Sequence, residues 1–326
     1  MKYVNLGAAG AKVARLALGT MNFGPDTPED EAHQILDRAT ELGINLIDTA
    51  NVYGWHPQQG WTEEIIGRWF EKRPGVRDSV VLATKLYEPM GVGPNERGLS
   101  ALHIRTQVEA SLKRLQTDHI DLYQFHHVDR EVRWEEIWQA IEVLVQQGKI
   151  VYSGSSNFPG WVIAAANERA ASRNLLGLVT EQSVFSLMKR DLELEVLPAA
   201  RAYGMGVLAW SPLAGGNLSG AAKRAGNRQP RATQSARDVG AVFDRERPQI
   251  ERYEAFAEER GHSPAQLALA WLLHQPGVLG PVVGPRTVAQ LDGSVGALDI
   301  RLDDSDLAEL DRIWPGPGPA PEAYAW

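Results

Sequence analysis

Eight short apolar segments, each followed by a stretch with the spacing of an amphipathic helix, predict a single (β/α)8 TIM barrel. Such alternation implies parallel strands whose outer face is covered by helices. An open, doubly wound nucleotide-binding sheet uses the same units, but it should carry a G-x-G-x-x-G turn after its first strand. The 326 residues contain neither this motif nor a P-loop, so the closed barrel is favoured. We predict one domain, 1–326, because such barrels typically take about 250 residues before insertions.

The N-terminal elements can be assigned in order along the chain. Residues 1–16 are predicted to form a β-hairpin of Tyr3–Leu6 and Val13–Leu16, and Ala17–Thr20 is the first barrel strand. In the first helix, Thr27 is a candidate N-cap, Pro28 suits the first helical position, and Gly43 suits the C-terminal end. The apolar positions between them have helical spacing: Ala32, Ile35, Leu36, Ala39 and Leu42.

The later strands and helices follow the same alternation. The predicted strands are Ile44–Asp48, Val80–Lys85, Ile120–His126, Ile150–Ser156, Leu178–Gln182, Gly206–Ser211 and Val278–Gly284. The predicted helices between them are Thr62–Glu71, Ser100–Leu115, Trp134–Gln147, Gly160–Arg173 and Leu192–Tyr203. A further helix precedes the last strand, and Ser263, Pro264 and Gln266 at its start have the pattern of a capping box with proline in the first turn.

Two segments lack this alternation. Residues 212–249, after the seventh strand, are predicted to be a long loop, and such loops in compact domains are usually lids or binding loops. Residues 315–326 contain four prolines that alternate with small residues, and they are predicted to be a flexible tail after a C-terminal extra helix.

Composition excludes several classes of function. A net charge of −8, from 33 basic and 41 acidic residues, argues against a nucleic-acid partner, whose binding face on the protein is basic. The absence of cysteine excludes disulfides, thiol nucleophiles and thiolate-bound metals, and no histidine pair has helical ligand spacing, so no metal site is predicted. No apolar run approaches ~18 residues and the N-terminus lacks a signal-peptide pattern, so we expect a cytoplasmic protein with no membrane partner.

Ionisable side chains lie at the C-terminal ends of three consecutive strands, where barrel enzymes carry their chemistry. Asp48, Lys85 and His126 occupy these ends, and Tyr53 follows Asp48 in a turn. A single buried ion pair can be structural, but all of these groups together are costly without a function. A tyrosine can donate its proton near neutral pH when an ammonium stabilises the phenolate, and a carboxylate keeps that ammonium charged. The set is therefore predicted to move a proton to or from an oxygen on carbon, with any redox step left to a cofactor.

Five segments at the strand ends resemble the aldo-keto reductases, a family of NADPH-dependent (β/α)8-barrel oxidoreductases. These segments are Asn45–Gly54, Ala83–Lys85, Asp121–His127, Gly154–Phe158 and Trp210–Leu213, and the likeness runs from Leu18 to Leu291. The resemblance implies reduction of a small aldehyde or ketone to an alcohol by hydride transfer from NADPH, which leaves NADP+.

The resemblance also implies a role for each matching residue. Tyr53 corresponds to the general acid, and Lys85 to the partner that lowers its pKa. Asp48 corresponds to the counter-ion of the lysine, and His126 to the group that orients the substrate carbonyl. The residues implied to hold the cofactor are Gly19, Thr20, Met21, Asp48, Ser156, Asn157, Gln182, Trp210, Ser211, Pro212, Leu213, Gly215, Gly284, Arg286, Gln290 and Ser294.

Within that set, the resemblance assigns each part of the cofactor to a different group. Ser156, Asn157 and Gln182 correspond to the residues that hold the nicotinamide carboxamide, and Trp210 to the aromatic residue that stacks on its ring. Arg286 can meet a 2′-phosphate, but Gly293 and Ser294 replace the acid and asparagine that many members carry at the adenine end. The basic residues of the long loop are candidates for phosphate contacts: Lys223, Arg224, Arg228, Arg231 and Arg237.

The substrate and two other functions stay open at this stage. Glu181–Phe185, the Trp210 segment and the long loop also resemble potassium-channel β-subunits, which bind partners and turn over slowly. Thr20–Gly24 and Asn51–Trp55 resemble reductases of nucleotide-linked keto-deoxysugars, and they also resemble general reductases of the same branch. A Schiff-base aldolase is less favoured because Asp48 should keep the Lys85 amine protonated. The substrate pocket is predicted to include Asn22, Trp55, Tyr87 and His127, and no pattern indicates an oligomeric state.

Overall fold

The computed structural model describes residues 1–223 and 235–325, with side chains for all of them except 235–239. The strands are β1 (Tyr3–Asn5), β2 (Lys12–Ala14), β3 (Ala17–Gly19), β4 (Leu46–Asp48), β5 (Val81–Leu86), β6 (Ile120–Phe125), β7 (Ile150–Ser156), β8 (Leu178–Val184), β9 (Gly206–Trp210) and β10 (Val278–Val283). The α-helices are α1 (Glu29–Glu41), α2 (Trp61–Lys72), α3 (Ala101–Leu115), α4 (Trp134–Gln146), α5 (Gly160–Ala171), α6 (Val196–Ala202), α7 (Ser235–Glu259), α8 (Pro264–His274), α9 (Val288–Val295), α10 (Asp304–Ile313) and α11 (Glu322–Ala325). Short 3-10 helices cover Val76–Ser79, Asp191–Glu193, Ala214–Gly216 and Gly296–Asp299.

Strands β3 to β10 close into a parallel eight-stranded barrel, which confirms the predicted fold class. The last strand pairs with the first, with Val283 opposite Leu18, so the barrel has no free edge. Because all eight strands run in one direction, their C-terminal ends meet at the same end of the barrel.

The N-terminal hairpin closes the opposite end of the barrel. Strands β1 and β2 pair antiparallel, with Tyr3 opposite Ala14, as the sequence predicts. Leu6 and Val13 pack into the barrel interior. Gly7 has a φ of +54°, and a side chain there would collide with the carbonyl oxygen of Val179 at the start of β8. The hairpin therefore leaves only the C-terminal ends of the strands open for a site.

The helices pack against the outside of the barrel and bury its second apolar layer. Three tryptophans, Trp69, Trp138 and Trp271, are almost fully buried there. The indole N–H of Trp69 donates to Asp37 at 2.8 Å and that of Trp138 to the Ala166 carbonyl at 2.9 Å, so these buried donors are satisfied.

Two predicted helix starts are wrong, and a third is confirmed except for one contact of its capping box. α1 begins at Glu29, and Thr27 does not cap it: its hydroxyl is buried without a hydrogen-bond partner in the described part of the chain. Ser263 caps α8 by accepting from the Gln266 N–H at 3.2 Å, but the capping box is incomplete because the Gln266 side chain donates to Gly293. The helix predicted from Leu192 is a 3-10 turn followed by the short α6.

The two segments outside the alternation also differ from their predictions. The loop predicted for 212–249 ends earlier, because α7 is helical from Ser235 onwards. Its N-terminal part is fixed to α7 by Glu254, which accepts from the backbone N–H groups of Ala222 and Lys223 at 2.8 and 3.2 Å. The predicted tail contains the helical turn α11, and the Ala320 N–H donates to the Leu194 carbonyl at 2.8 Å. No helix among residues 1–223 and 235–325 has both the length and the apolarity to cross a membrane.

Candidate active site

Three neighbouring strands bring the predicted catalytic side chains together at the open end of the barrel. Asp48 is the last residue of β4 and pairs with Ala83 on β5, whereas Lys85 pairs with Gln124 on β6. His126 follows β6 directly. Tyr53 comes from the turn after β4, so its hydroxyl returns over the strand ends.

Lys85 lies at the centre of this group and is fully buried. Its Nζ donates to Asp48 Oδ2 at 2.6 Å, to the Thr49 carbonyl at 2.9 Å and to the Tyr53 hydroxyl at 3.3 Å. All three ammonium protons therefore have acceptors. Burial is the largest single effect and opposes the charge, but the contacts with Asp48 and Tyr53 together outweigh it and raise the pKa of Lys85, so the amine stays protonated.

The second oxygen of Asp48 is held by two amide side chains. Asp48 Oδ1 accepts from Gln182 Nε2 at 2.8 Å and from Gln124 Nε2 at 3.0 Å. The carboxylate is 2% exposed, and these donors satisfy it where water cannot. Gln124 is a residue of the candidate site that the sequence did not single out. The signal for it was the alternation along β6, which places it on the same inward face as His126.

Tyr53 is a neutral phenol in this site. Burial raises its pKa, and the nearby Lys85 ammonium lowers it by a smaller amount. The resemblance implied a lowered pKa, so burial is the stronger effect in this geometry. The hydroxyl keeps its proton and contacts a cation that can stabilise the phenolate once the proton leaves.

His126 forms the other wall of the site. Its ring meets the Tyr53 ring edge-on, with centroids 6.0 Å apart at 77°. Burial and the positive charge of Lys85 lower the pKa of His126 to about 3, so the imidazole is neutral near pH 7. Its Nδ1 is buried and has no hydrogen-bond partner among the residues the structure describes.

The residues predicted for the nicotinamide meet beside this group. Ser156 Oγ and the Asn157 N–H both donate to the Gln182 carbonyl, at 2.7 and 3.1 Å. The Asn157 side-chain amide donates to the His126 carbonyl at 3.1 Å and accepts from Trp210 Nε1 at 3.1 Å. Trp210 is 37% exposed.

The residues predicted for the phosphates and adenine surround the ends of the first, seventh and eighth strands. Asn22 Nδ2 donates to the Gly284 carbonyl at 2.7 Å, which joins β3 to β10. This contact gives Asn22 a structural role, and its place in the substrate pocket stays a prediction. Ser211 has a φ of +51°, and its Oγ accepts from the Gly215 N–H at 3.3 Å, which shapes the start of the loop after β9.

Arg286 begins the segment predicted for the adenosine phosphate. Its backbone N–H donates to Gln290 Oε1 at 2.9 Å, and Ser294 Oγ donates to the Gln290 carbonyl at 2.9 Å. Its guanidinium makes no ion pair or hydrogen bond within residues 1–223 and 235–325. Lys223 pairs with Glu258 at 2.8 Å. The side chains of Arg224, Arg228, Arg231 and Arg237 lie outside the described residues.

Two aromatic side chains predicted for the substrate pocket contact aromatic rings near the strand ends. Trp55 lies 5.9 Å from the Tyr53 ring, and Tyr87 lies 5.3 Å from His127. Trp55 and Tyr87 have φ values of +59° and +152°, which non-glycine residues rarely adopt. A strained backbone conformation of this kind persists only where the surrounding structure holds it in place, and such conformations are common at functional sites.

Comparisons with known proteins identify the family of the chain. The sequence model of the Aldo/keto reductase family matches residues 15–315. An oxidoreductase of Bacillus subtilis, YrpG, is 50% identical over the full length of both chains. Norsolorinic acid reductase stcV of Emericella nidulans is 34% identical, with 94% of this chain and 80% of that protein aligned. Protein tas of Escherichia coli is 32% identical over 96% of this chain and 97% of its own. The chain belongs to the aldo/keto reductase family, and its fold and relatives are those of an oxidoreductase.

Proposed function

We propose that this protein reduces an aldehyde or ketone to an alcohol with NADPH, and that Tyr53 is the general acid. The observation that carries the proposal is the 3.3 Å contact between the Tyr53 hydroxyl and the Lys85 ammonium. That ammonium is fully buried and held by Asp48, beside a neutral His126.

The residues at the open end of the barrel fit a nicotinamide adenine dinucleotide phosphate. Trp210 offers an exposed ring beside Asn157, and Arg286 offers a guanidinium with no partner in the described part of the chain. Thr287 caps α9 by accepting from the Gln290 N–H at 3.3 Å, so the positive end of this helix lies beside Arg286. These groups would hold the ring and the 2′-phosphate, respectively. The bound cofactor supplies a hydride to the carbonyl carbon.

The protein residues then control the proton and the charge on the carbonyl oxygen. A neutral His126 can donate one N–H to that oxygen and orient it. Tyr53 gives its proton to the same oxygen as negative charge develops there, so the product is an alcohol and Tyr53 becomes a phenolate. The Lys85 ammonium stabilises the phenolate, and Asp48 keeps the ammonium in place. A proton from solvent restores the phenol.

An aromatic carbonyl fits the predicted substrate pocket better than a small aliphatic one. Trp55 lies beside the Tyr53 ring and Tyr87 lies beside His127, and planar substrates gain dispersion and stacking energy from such rings. The norsolorinic acid reductases, which are 30–34% identical, support the same direction because norsolorinic acid is named as their substrate. We therefore propose an aryl ketone or aryl aldehyde, with nucleotide-linked keto sugars as the competing class.

The test is steady-state oxidation of NADPH with a panel of aromatic, aliphatic and sugar carbonyls, for the wild type and Tyr53→Phe. We expect turnover with aromatic carbonyls and a loss of about 10²-fold or more in Tyr53→Phe, the size of a general-acid contribution. The variant should still bind NADPH. Equal rates in the two proteins would refute the assignment of Tyr53. A single turnover with negligible steady-state rate over the whole panel would favour the regulatory subunit instead.

A further inference from the structure

Glu181 is a fully buried carboxylate that the proposed chemistry does not use. Its Oε1 accepts from Ser183 Oγ at 2.5 Å and from the Phe158 N–H at 3.1 Å, and its Oε2 accepts from the Ser155 hydroxyl. Among the described residues it has no ion-pair partner, so only neutral donors face it. Buried carboxylates are usually paired with a cation, so this one needs an explanation.

A register shift explains which way Glu181 points. Strands β7 and β8 pair Ser153 with Leu178 and then Ser155 with Glu181, so β8 carries one extra residue between these pairs. The extra residue changes which side chains face inward. Gln182 therefore reaches the catalytic carboxylate in the barrel interior, whereas Glu181 faces the opposite side, towards the end of β7.

The donors to Glu181 lie on both sides of a turn with predicted cofactor residues. Ser155 precedes Ser156 and Asn157, and Phe158 follows them. Asn157 has a φ of +60°, a left-handed conformation that asparagine adopts more readily than most residues. The carboxylate fixes the turn at its two ends, from the face opposite the site.

We propose that Glu181 is a positioning residue for the nicotinamide end of the cofactor site, acting through the turn that carries Ser156 and Asn157. The inference rests on the proposed function, because the cofactor roles of these two residues belong to it. Burial raises the pKa of Glu181 to about 7, so placing a carboxylate here costs folding stability. Such a cost is typical of functional sites rather than of a core chosen for stability alone.

The experiment uses Glu181→Gln, which keeps the shape but removes the charge. NADP+ binding is titrated by quenching of tryptophan fluorescence, and carbonyl KM is measured at saturating NADPH. We expect the Kd for NADP+ to rise about tenfold, the effect of losing one charge-assisted hydrogen bond, with carbonyl KM unchanged within about twofold. With NADPH deuterated on one face of C4, the variant should transfer label less selectively than the wild type.

Glu63→Gln is the matched control. Glu63 is also fully buried, but it lies on α2 and accepts from Thr84 Oγ1 at 2.6 Å and Arg114 Nε at 2.7 Å, away from the turn. The Glu63→Gln substitution should lower the free energy of unfolding without changing the Kd for NADP+. If Glu181→Gln behaves in the same way, Glu181 is only structural and the inference is wrong.

Two further outcomes keep the test decisive. If Glu181→Gln fails to fold, Ser155→Ala is used instead, because this variant deletes one hydrogen-bond donor to the carboxylate. The Kd of Ser155→Ala for NADP+ should rise about threefold. An unchanged Kd would overturn the inference. If the wild type itself does not bind NADP+, the proposed function is wrong and the inference falls with it. Binding by the wild type with no change in either variant refutes the inference alone.

Discussion

Replacing Lys85 by methionine tests the central ion pair of the site. Methionine has a similar length and no charge, so it fills the space of the lysine stem without leaving a large cavity. The change removes the cation that contacts Asp48 at 2.6 Å and Tyr53 at 3.3 Å. It therefore acts on stability through Asp48 and on catalysis through Tyr53.

The expected loss of stability in Lys85→Met depends on the hydrogen bonds that Asp48 keeps. Breaking a buried pair by removing one partner costs about 3–5 kcal/mol, because an uncompensated charge stays behind. Gln182 and Gln124 still donate to Asp48, so the lower end of this range is expected, about 3 kcal/mol. Turnover should fall by about 10²–10³-fold or more, since the phenolate loses its stabilising charge. The Kd for NADPH should change by less than about threefold, because Lys85 does not belong to the cofactor set.

The assay is urea unfolding and NADPH titration of the wild type, Lys85→Met and the double variant Asp48→Asn/Lys85→Met. The double variant has no buried charge at this position, so it should recover at least about half of the stability lost in the single variant. A single variant within about 1 kcal/mol of the wild type would refute the ion-pair argument. A double variant less stable than the single one would refute the claim that the unpaired carboxylate is the cause.

The other expected outcomes concern the edges of the site. Arg286→Ala should raise the KM for NADPH about tenfold and leave that for NADH unchanged, whereas the exposed Arg301→Ala should change neither. The pKa of Glu181 is raised from 4.5 to about 7 by burial, so the folded chain holds a proton that the unfolded chain has lost, and stability falls as pH rises through this window. Urea unfolding from about pH 5 to about pH 8 should show a fall of about 2–3 kcal/mol relative to Glu181→Gln. Trp55→Ala should raise the KM for aromatic carbonyls about tenfold but not for small aliphatic ones, and Trp161→Ala, on the outer helix α5, should change neither.

The barrel could be predicted from the sequence because its signals are local. Each strand is a short apolar run, and the helix ends carry residues whose effect is confined to one turn, such as Ser100, which caps α3 by accepting from the His103 N–H at 3.2 Å. The positions of Asp48, Lys85 and His126 followed from the same signals, since parallel strands bring their ends together.

The features that could not be predicted depend on contacts between distant segments. α7 begins at Ser235 in a stretch with a weak apolar pattern, and Glu254 near its other end is committed to the backbone of Ala222. The extra residue in β8 decides that Gln182 rather than Glu181 faces Asp48, and nothing in the local sequence marks it. Tertiary pairing sets such details, so pattern reasoning reaches the elements but not their exact register.

Asp48 contacts both the proposed proton-donor group and the residues predicted to hold the nicotinamide. One of its oxygens accepts from the Lys85 ammonium, which also contacts Tyr53. The other oxygen accepts from the Gln182 side chain at 2.8 Å. The backbone carbonyl of Gln182 accepts in turn from Ser156 Oγ and the Asn157 N–H. A change at this carboxylate therefore moves the proton donor and the nicotinamide residues together. Asp48→Asn should consequently raise the Kd for NADP+ as well as slow turnover, whereas Lys85→Met, which leaves the Gln182 contact in place, should slow turnover and lower stability without raising that Kd. Titration of NADP+ into the two variants tests this assignment, because an unchanged Kd in Asp48→Asn, or an equal rise of the Kd in Lys85→Met, would contradict it.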